Sequence, residues 1–176
     1  KRIYDTNSNA VSAYLQLIDQ LIAKEATCDI LIPLYSKNFE ENKNLINNLD
    51  IANLIDYKNK LPRDELIKSL NSADIGIAPS SYEGFGFPLV EMIATGLPVI
   101  VSDKASLPEL AGNAGLIFDS EDSSDLKKKM KELIKNKVLR DELTEKSKIR
   151  RDDFFGWDEY AKKLEDLYKE IISGNI

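Results

Sequence analysis

Histidine is absent from all 176 residues. Imidazole is thereby removed as base, nucleophile or metal ligand, and every Ser-His or Cys-His mechanism within the chain goes with it. Cysteine occurs once, at Cys28, so neither an internal disulfide framework nor a cysteine-rich metal site can form, and an intracellular compartment fits best. A single cysteine reads as a small, semi-buried apolar residue. No apolar run approaches the ~20 residues needed to cross a bilayer, and no basic segment followed by an apolar one opens the chain. Basic residues are outnumbered, 24 Lys and Arg against 30 Asp and Glu, for a formal charge of −6. Such a chain has no broad field to draw it to a nucleic acid, and any phosphate must be held locally. No Gly-Lys-Ser or Gly-Lys-Thr occurs, which removes the P-loop.

What is present is alternation. Short aliphatic or β-branched runs at Arg2 to Asp5, Asp29 to Tyr35, Asn53 to Tyr57, Asp74 to Ala78, Pro98 to Ser102 and Gly115 to Phe118 are separated by stretches of helical periodicity. That pattern predicts a Rossmann-like, three-layer α/β/α domain with a mostly parallel sheet. Val11, Leu15, Ile18 and Ile22 share one helical face; Leu66, Ile67 and Leu70 share another. Leu89, Met92 and Ile93 form a third stripe, stopped by Gly96 and Pro98. Beyond Asp119 the pattern is purely helical: Leu126, Met130, Leu133 and Ile134 form one stripe, and Trp157, Tyr160, Leu164, Leu167 and Ile171 another. Both stripes are expected to pack on the sheet or on each other, with Trp157 in the core. One domain over 1–176 is expected, with a helical C-terminal extension.

The most informative stretch is Ala78-Pro79-Ser80-Ser81-Tyr82-Glu83-Gly84-Phe85-Gly86-Phe87-Pro88-Leu89-Val90-Glu91. It follows a predicted strand, and in parallel α/β sheets ligands collect at the carboxyl ends of strands. Gly84 and Gly86 allow positive φ and close approach of a ligand, and Pro88 suits a first helical turn. A helix starting there would present amides near Gly86, Phe87 and Leu89, together with the positive end of its dipole, to an anion. Glu91 would accept from a ribose beyond the phosphates, and Glu83 from a sugar's hydroxyls at the other end. An alternative left open by the spacing is a plain glycine turn capping an ordinary helix, with Glu83 exposed. The nicotinamide fingerprint fits poorly, because the third glycine is missing and the loop follows the fourth predicted strand.

These residues resemble the C-terminal, donor-binding half of the retaining, nucleotide-sugar-dependent glycosyltransferases of family 4. The resemblance runs from Leu61 to about Ile172 through an ordered set: Ser72-Ala73-Asp74, Pro79-Ser80, Glu83-Gly84-Phe85-Gly86, Glu91 with seven residues between the glutamates, Gly96-Leu97-Pro98-Val99-Ile100, Ser106-Leu107-Pro108-Glu109, Gly112-Asn113-Ala114-Gly115 and Phe155-Gly156-Trp157. The Ser-Leu-Pro-Glu form is similar to bacterial mannosyltransferase-type members that build surface polysaccharides. The resemblance implies the second half of a two-domain (GT-B) enzyme that transfers a hexosyl group from a donor such as GDP- or UDP-hexose to a saccharide or lipid-linked acceptor. Transfer would proceed with retention, in the cytoplasm or peripherally at the inner face of the membrane, without a metal or other cofactor. It implies Glu83 as the catalytic, sugar-positioning group, Gly84, Phe85, Gly86 and Phe87 at sugar and phosphate, and Glu91 at the ribose. The acceptor would reach the site through a missing N-terminal domain, towards which the helix of 156–176 would cross.

The first sixty residues depart from the family's pattern. The loop that carries an Arg and a Lys for the departing diphosphate reads Asp5-Thr6-Asn7-Ser8-Asn9, and the glycine turn after the second strand is replaced by Pro33-Leu34-Tyr35-Ser36. Lys37, Lys60, Arg63 and Lys104 follow candidate strands and are possible substitutes. The missing clamp keeps open a second reading, a non-catalytic nucleotide-sugar-binding or interaction module of the same fold. A sugar-nucleotide epimerase is a third. The opening at Lys1 without methionine raises the expectation of a piece of something longer, inactive by itself.

Overall fold

The computed structural model of the chain describes residues 61–154 and 156–174, the strand Ile30–Leu31 and the helical positions Asn44, Asn47 and Asn48. The expected strands at Arg2 to Asp5 and Asn53 to Tyr57, the helix of Val11 to Ile22, Cys28, Lys37, Lys60 and Phe155 lie outside the described residues. Four described strands, β1 (Ile30–Leu31), β2 (Ile75–Ala78), β3 (Val99–Ser102) and β4 (Gly115–Phe118), form one sheet in the order β1-β2-β3-β4. Every pairing is parallel: Leu31 faces Gly76, Ala78 faces Val101, and Ser102 faces Phe118. β2 and β3 are buried at every position, as strands covered on both faces must be, which explains their unbroken aliphatic runs.

The helices are α1 (Arg63–Ser72), α2 (Phe87–Ala94), α3 (Leu107–Ala111), α4 (Ser123–Lys135), α5 (Lys137–Arg151) and α6 (Trp157–Ile172). The stripe Leu89, Met92 and Ile93 carries α2 into the core, where all three are fully buried and join Leu70, Val99, Val101, Leu107 and Leu110. The approach is close because β2 has a glycine beneath it: a Cβ on Gly76 would stand 2.5 Å from the Met92 sulfur. α2 ends in a Schellman arrangement, with the Leu97 amide donating to the Met92 carbonyl and that of Gly96, at φ +81°, to the Ile93 carbonyl. Gly96 and Pro98 thus stop the helix as expected.

α5 locks this unit from outside. The buried Ser147 hydroxyl donates to the Leu97 carbonyl at 2.7 Å. Arg150 donates to the Leu110 and Glu109 carbonyls at the end of α3 and lies 5.3 Å from the centre of the Phe154 ring. A cation there answers the unpaired carbonyls and the negative end of the dipole. α4 buries Leu126, Met130 and Leu133 of the expected stripe and leaves Ile134 half-buried at its edge.

α6 corrects an expectation. None of its residues is buried, and Trp157 is 79% exposed, its ring edge-on to Tyr160 at 6.2 Å. The stripe is there, with Leu164 half-buried, but Trp157, Tyr160, Leu167 and Ile171 stand exposed. Trp157 is not a core residue among the described ones.

Met92 is the side chain through which α2 meets the sheet, so Met92→Ala should lower stability by about 2–5 kcal/mol. Ile149→Ala, at a position 72% exposed, should change it by less than about 0.5 kcal/mol. Urea denaturation compares the two, and equal midpoints would contradict this packing.

Candidate functional site

The loop of 79–86 leaves the carboxyl end of β2 and turns into α2, so its conformation decides what the helix start can face. Gly86 is the N-cap of α2 and has φ +100°, ψ 43°, left-handed backbone that a side chain resists. A Cβ there would also stand 3.0 Å from Leu110 Cδ1 and 3.2 Å from Leu107 Cδ2 of α3. Gly84 differs from the expectation: its φ is not positive, and a Cβ there would meet nothing within 4 Å. One glycine is required by the turn, and the other leaves an open approach.

The amides at the corner also divide. Leu89 is not available to an anion, because its N–H donates to the Gly86 carbonyl at 2.9 Å, as does that of Val90 at 3.1 Å. The expectation that Leu89 would present its amide is corrected for that reason. Helix α2 begins at Phe87, which makes Pro88 its second residue, where the missing N–H is not needed. The amides of Gly84, Phe85 and Gly86 donate to no group among the described residues. Phe85 and Phe87 stand nearly half exposed with ring centroids 4.9 Å apart. Gly84 and Phe85 are exposed and Gly86 is buried against Leu107 and Leu110, so the open side of the corner lies at Gly84 and Phe85.

Glu83 is 7% exposed, which overturns the alternative that left it in solvent. The Ser80 hydroxyl donates to its Oε1 at 3.0 Å, and no cation pairs with it among the described residues. Burial raises its carboxyl above the ordinary 4.5, and the Ser80 hydrogen bond pulls it part of the way back. A desolvated carboxylate without a counter-ion costs stability. Such a group is a candidate for function, since its field is strengthened by the same burial.

Glu91 lies one turn into α2, half-buried, with its Oε1 3.7 Å from Arg63 Nη1. These two side chains, with Leu66 and Leu70 of α1 and Ala94 of α2, line a groove between the helices. Glu83 is not part of that groove. Of the possible substitute cations, Arg63 is thus engaged at Glu91, and Lys104 lies 3.4 Å from Asp103 and 3.7 Å from Glu121.

Three serine hydroxyls make contacts that the sequence pattern does not assign. The Ser102 hydroxyl donates to the Ser80 carbonyl at 2.6 Å, that of Ser106 to the Phe85 carbonyl at 2.7 Å, and that of Ser80 to Glu83. The spacing Ser-x-x-Glu, present at Ser80 to Glu83 and at Ser106 to Glu109, was the available signal. At Ser106 it misleads, because the hydroxyl leaves its own helix uncapped and reaches the loop instead.

The sequence profile of the family described as glycosyl transferases group 1 matches residues 11–150. The chain is 41% identical over 68 residues to the O-antigen chain mannosyltransferase B of Escherichia coli, covering 39% of this chain and 18% of that protein. It is 29% identical over 132 residues to the MMP α-(1→4)-mannosyltransferase of Mycolicibacterium hassiacum, covering 73% of this chain and 32% of that one. The chain thus spans about a fifth to a third of these curated relatives. The sucrose-phosphate synthase of Thermosynechococcus elongatus shares the fold at TM-score 0.75 and 19% identity, over 94% of this chain and 43% of that one.

Gly86→Ala should cost about 1–3 kcal/mol, because the turn needs left-handed backbone, and Gly84→Ala less than about 0.5 kcal/mol. Chemical denaturation ranks them, and the reverse order would refute the assignment of the turn to Gly86. For Glu83 the sign follows from its raised value: the folded chain holds the proton more tightly than the unfolded one. The cost of the charge is complete above the raised folded value and gone below 4.5. Glu83→Gln should therefore melt higher than wild type at pH 7, with the gap closing as pH falls through that window. A variant no more stable at pH 7 would mean that the charge carries no penalty.

Proposed function

The chain belongs to the group 1 glycosyl transferases, with the fold of the second half of a GT-B enzyme, and from that premise we propose that it binds the sugar donor of a retaining hexosyltransferase. The observation that carries this reading is the corner itself: a buried carboxylate without a cation, followed by a left-handed turn whose amides at 84–86 have no described partner. A sugar diphosphate presents the complementary groups in the same order, hydroxyls first and then anionic oxygens.

In this mechanism the amides of Gly84 to Gly86 and the start of α2 hold the diphosphate. The aligned dipole alone contributes about 0.3–2 kcal/mol to an anion placed there. As the bond from the anomeric carbon to the phosphate oxygen breaks, negative charge grows on the phosphate and positive charge on the ring. Glu83 accepts from the sugar's hydroxyls and stabilises that ring charge through a dry, low-dielectric path. Its part is positioning and charge stabilisation; it forms no bond to the sugar. Glu91 accepts from the ribose at the groove between α1 and α2, beside Arg63. The amide-held diphosphate needs no metal in this reading.

The names of the two relatives favour a mannosyl donor and a polysaccharide or saccharide acceptor. GDP- or UDP-hexose is the donor class, and the acceptor enters through an N-terminal half outside this chain, so the chain alone binds without turning over. No helix among the described residues is long and apolar enough to cross a membrane. The proposed place of action is the cytoplasm, with peripheral contact at the inner face of the membrane.

Calorimetric titration of the chain with UDP, GDP, ADP and their hexose conjugates tests this. One nucleoside diphosphate and its sugar should bind, and Glu91→Ala should weaken both by about ten- to a hundredfold, the loss of a charged hydrogen bond. Absence of heat with every one of these ligands would end the donor-site reading.

A further inference from the structure

Beyond the residues that face the ligand, two hydroxyls on the neighbouring strand unit hold the loop that does. We propose that Ser102 and Ser106, at the exit of β3, are positioning residues: Ser102 sets the Glu83 carboxylate through Ser80, and Ser106 sets the Gly86 amide through the Phe85 carbonyl. The inference rests on the reading of this loop as a sugar-diphosphate site.

The geometry begins where the sheet stops. The last β2–β3 pair is Ala78 with Val101, and from Pro79 onward the loop has no ladder to follow. Ser102 stands one residue past that pair, fully buried, and its hydroxyl continues the cross-strand tie by donating to the Ser80 carbonyl at 2.6 Å. A buried hydroxyl needs a partner, so this bond is held firmly. The residue it fixes is the one whose own hydroxyl donates to Glu83 Oε1 at 3.0 Å. Two successive O–H donors thus run from a strand in the core to a carboxylate in the loop.

Ser106 works on the other end. It occupies the N-cap of α3, yet its hydroxyl makes no cap and donates to the Phe85 carbonyl at 2.7 Å. The Phe85 carbonyl shares its peptide plane with the Gly86 N–H, so fixing the one fixes the direction of the other. α3 is a firm base for this: Leu107 and Leu110 lie beneath Gly86, and Arg150 of α5 holds the far end through the Glu109 and Leu110 carbonyls. The loop is pinned before and after Glu83 by side chains of a single neighbouring segment.

A purely structural role predicts something different, namely that these serines join two strand ends and do nothing to the carboxylate. Titration of the Glu83 side-chain carboxyl by carbon-13 NMR in the ligand-free full chain separates the two. Ser102→Cys, which keeps the volume but loses the strong donor, and Ser102→Ala should both displace the Glu83 midpoint upward, because the Ser80 hydroxyl that draws it down loses its anchor. Ser80→Ala, at a less buried position, should displace it in the same direction. An unmoved midpoint in the Ser102 variants, with only a lower melting temperature, would overturn the relay.

Binding gives the second readout. In Ser102→Cys the affinity for the nucleotide-sugar should fall about ten- to a hundredfold relative to that for the bare nucleoside diphosphate. Ser106→Ala should weaken both ligands, and Ser106→Thr, which keeps the hydroxyl, should restore them. Diphosphate affinity unchanged in Ser106→Ala would overturn the second half of the clamp. Should wild type bind neither ligand, the donor-site reading fails and the Ser106 arm with it, while the Glu83 titration still decides the role of Ser102.

Discussion

The left-handed turn at Gly86 is the constraint on which the rest depends. It reverses the chain out of the loop just above Leu107 and Leu110 and directs α2 so that Leu89, Met92 and Ile93 enter the core. The same turn leaves the amides of 84–86 without a partner among the described residues, with Gly84 and Phe85 at the surface and Gly86 buried. Stability and a ligand-ready corner thus come from one backbone conformation, and neither can be changed without the other. A side chain at this position would strain the turn and press on α3 together.

Much of this was legible in the sequence, and the reason differs from element to element. β4 coincides with Gly115 to Phe118 although only Phe118 of it is buried, and β2 and β3 lie within the aliphatic runs assigned to them, because strands buried on both faces are mostly apolar. α2 was legible through its buried stripe and its glycine stop. α6 was half legible: periodicity fixes which residues share a face, but it carries no information on what that face meets. Trp157, Tyr160 and Ile171 are on one stripe and still exposed. The tie from Ser102 to Ser80 was illegible, since the two are twenty-two residues apart and their contact exists only through the parallel register of β2 and β3. Glu83 shows the same limit, for its burial depends on where the loop lies against β3.

The electrostatics of the site turn on where the cations are. Arg63 is paired with Glu91, and Lys104 with Asp103 and Glu121, so the positive charges within reach of the described strand ends are already answered by carboxylates. In the proposed mechanism the departing diphosphate therefore leans on backbone amides and the start of α2. A helix dipole contributes about 0.3–2 kcal/mol, whereas losing one preorganised donor to a developing oxyanion slows catalysis by roughly a hundred- to a thousandfold. Amides alone can secure ground-state binding of a diphosphate, but a fast transfer asks for more.

That difference assigns the labour within the proposed two-domain enzyme. Groups that bind donor and departing phosphate equally well lower the dissociation constant without accelerating the step, and rate comes only from contacts that strengthen in the transition state. Glu83 is of the second kind in this reading, because ring charge appears only as the glycosidic bond breaks and its carboxylate has been kept dry for that moment. The stability sacrificed by burying it is the cost of holding it ready. A carboxylate held so must not drift, since an error of about 1 Å in a catalytic group can cost a hundredfold in rate. Two hydroxyls on the adjoining strand unit, that of Ser102 in the core and that of Ser106 at the start of α3, meet that demand at both flanks of the loop, which is why the precision of the corner resides in β3 and α3 as much as in the loop that faces the donor.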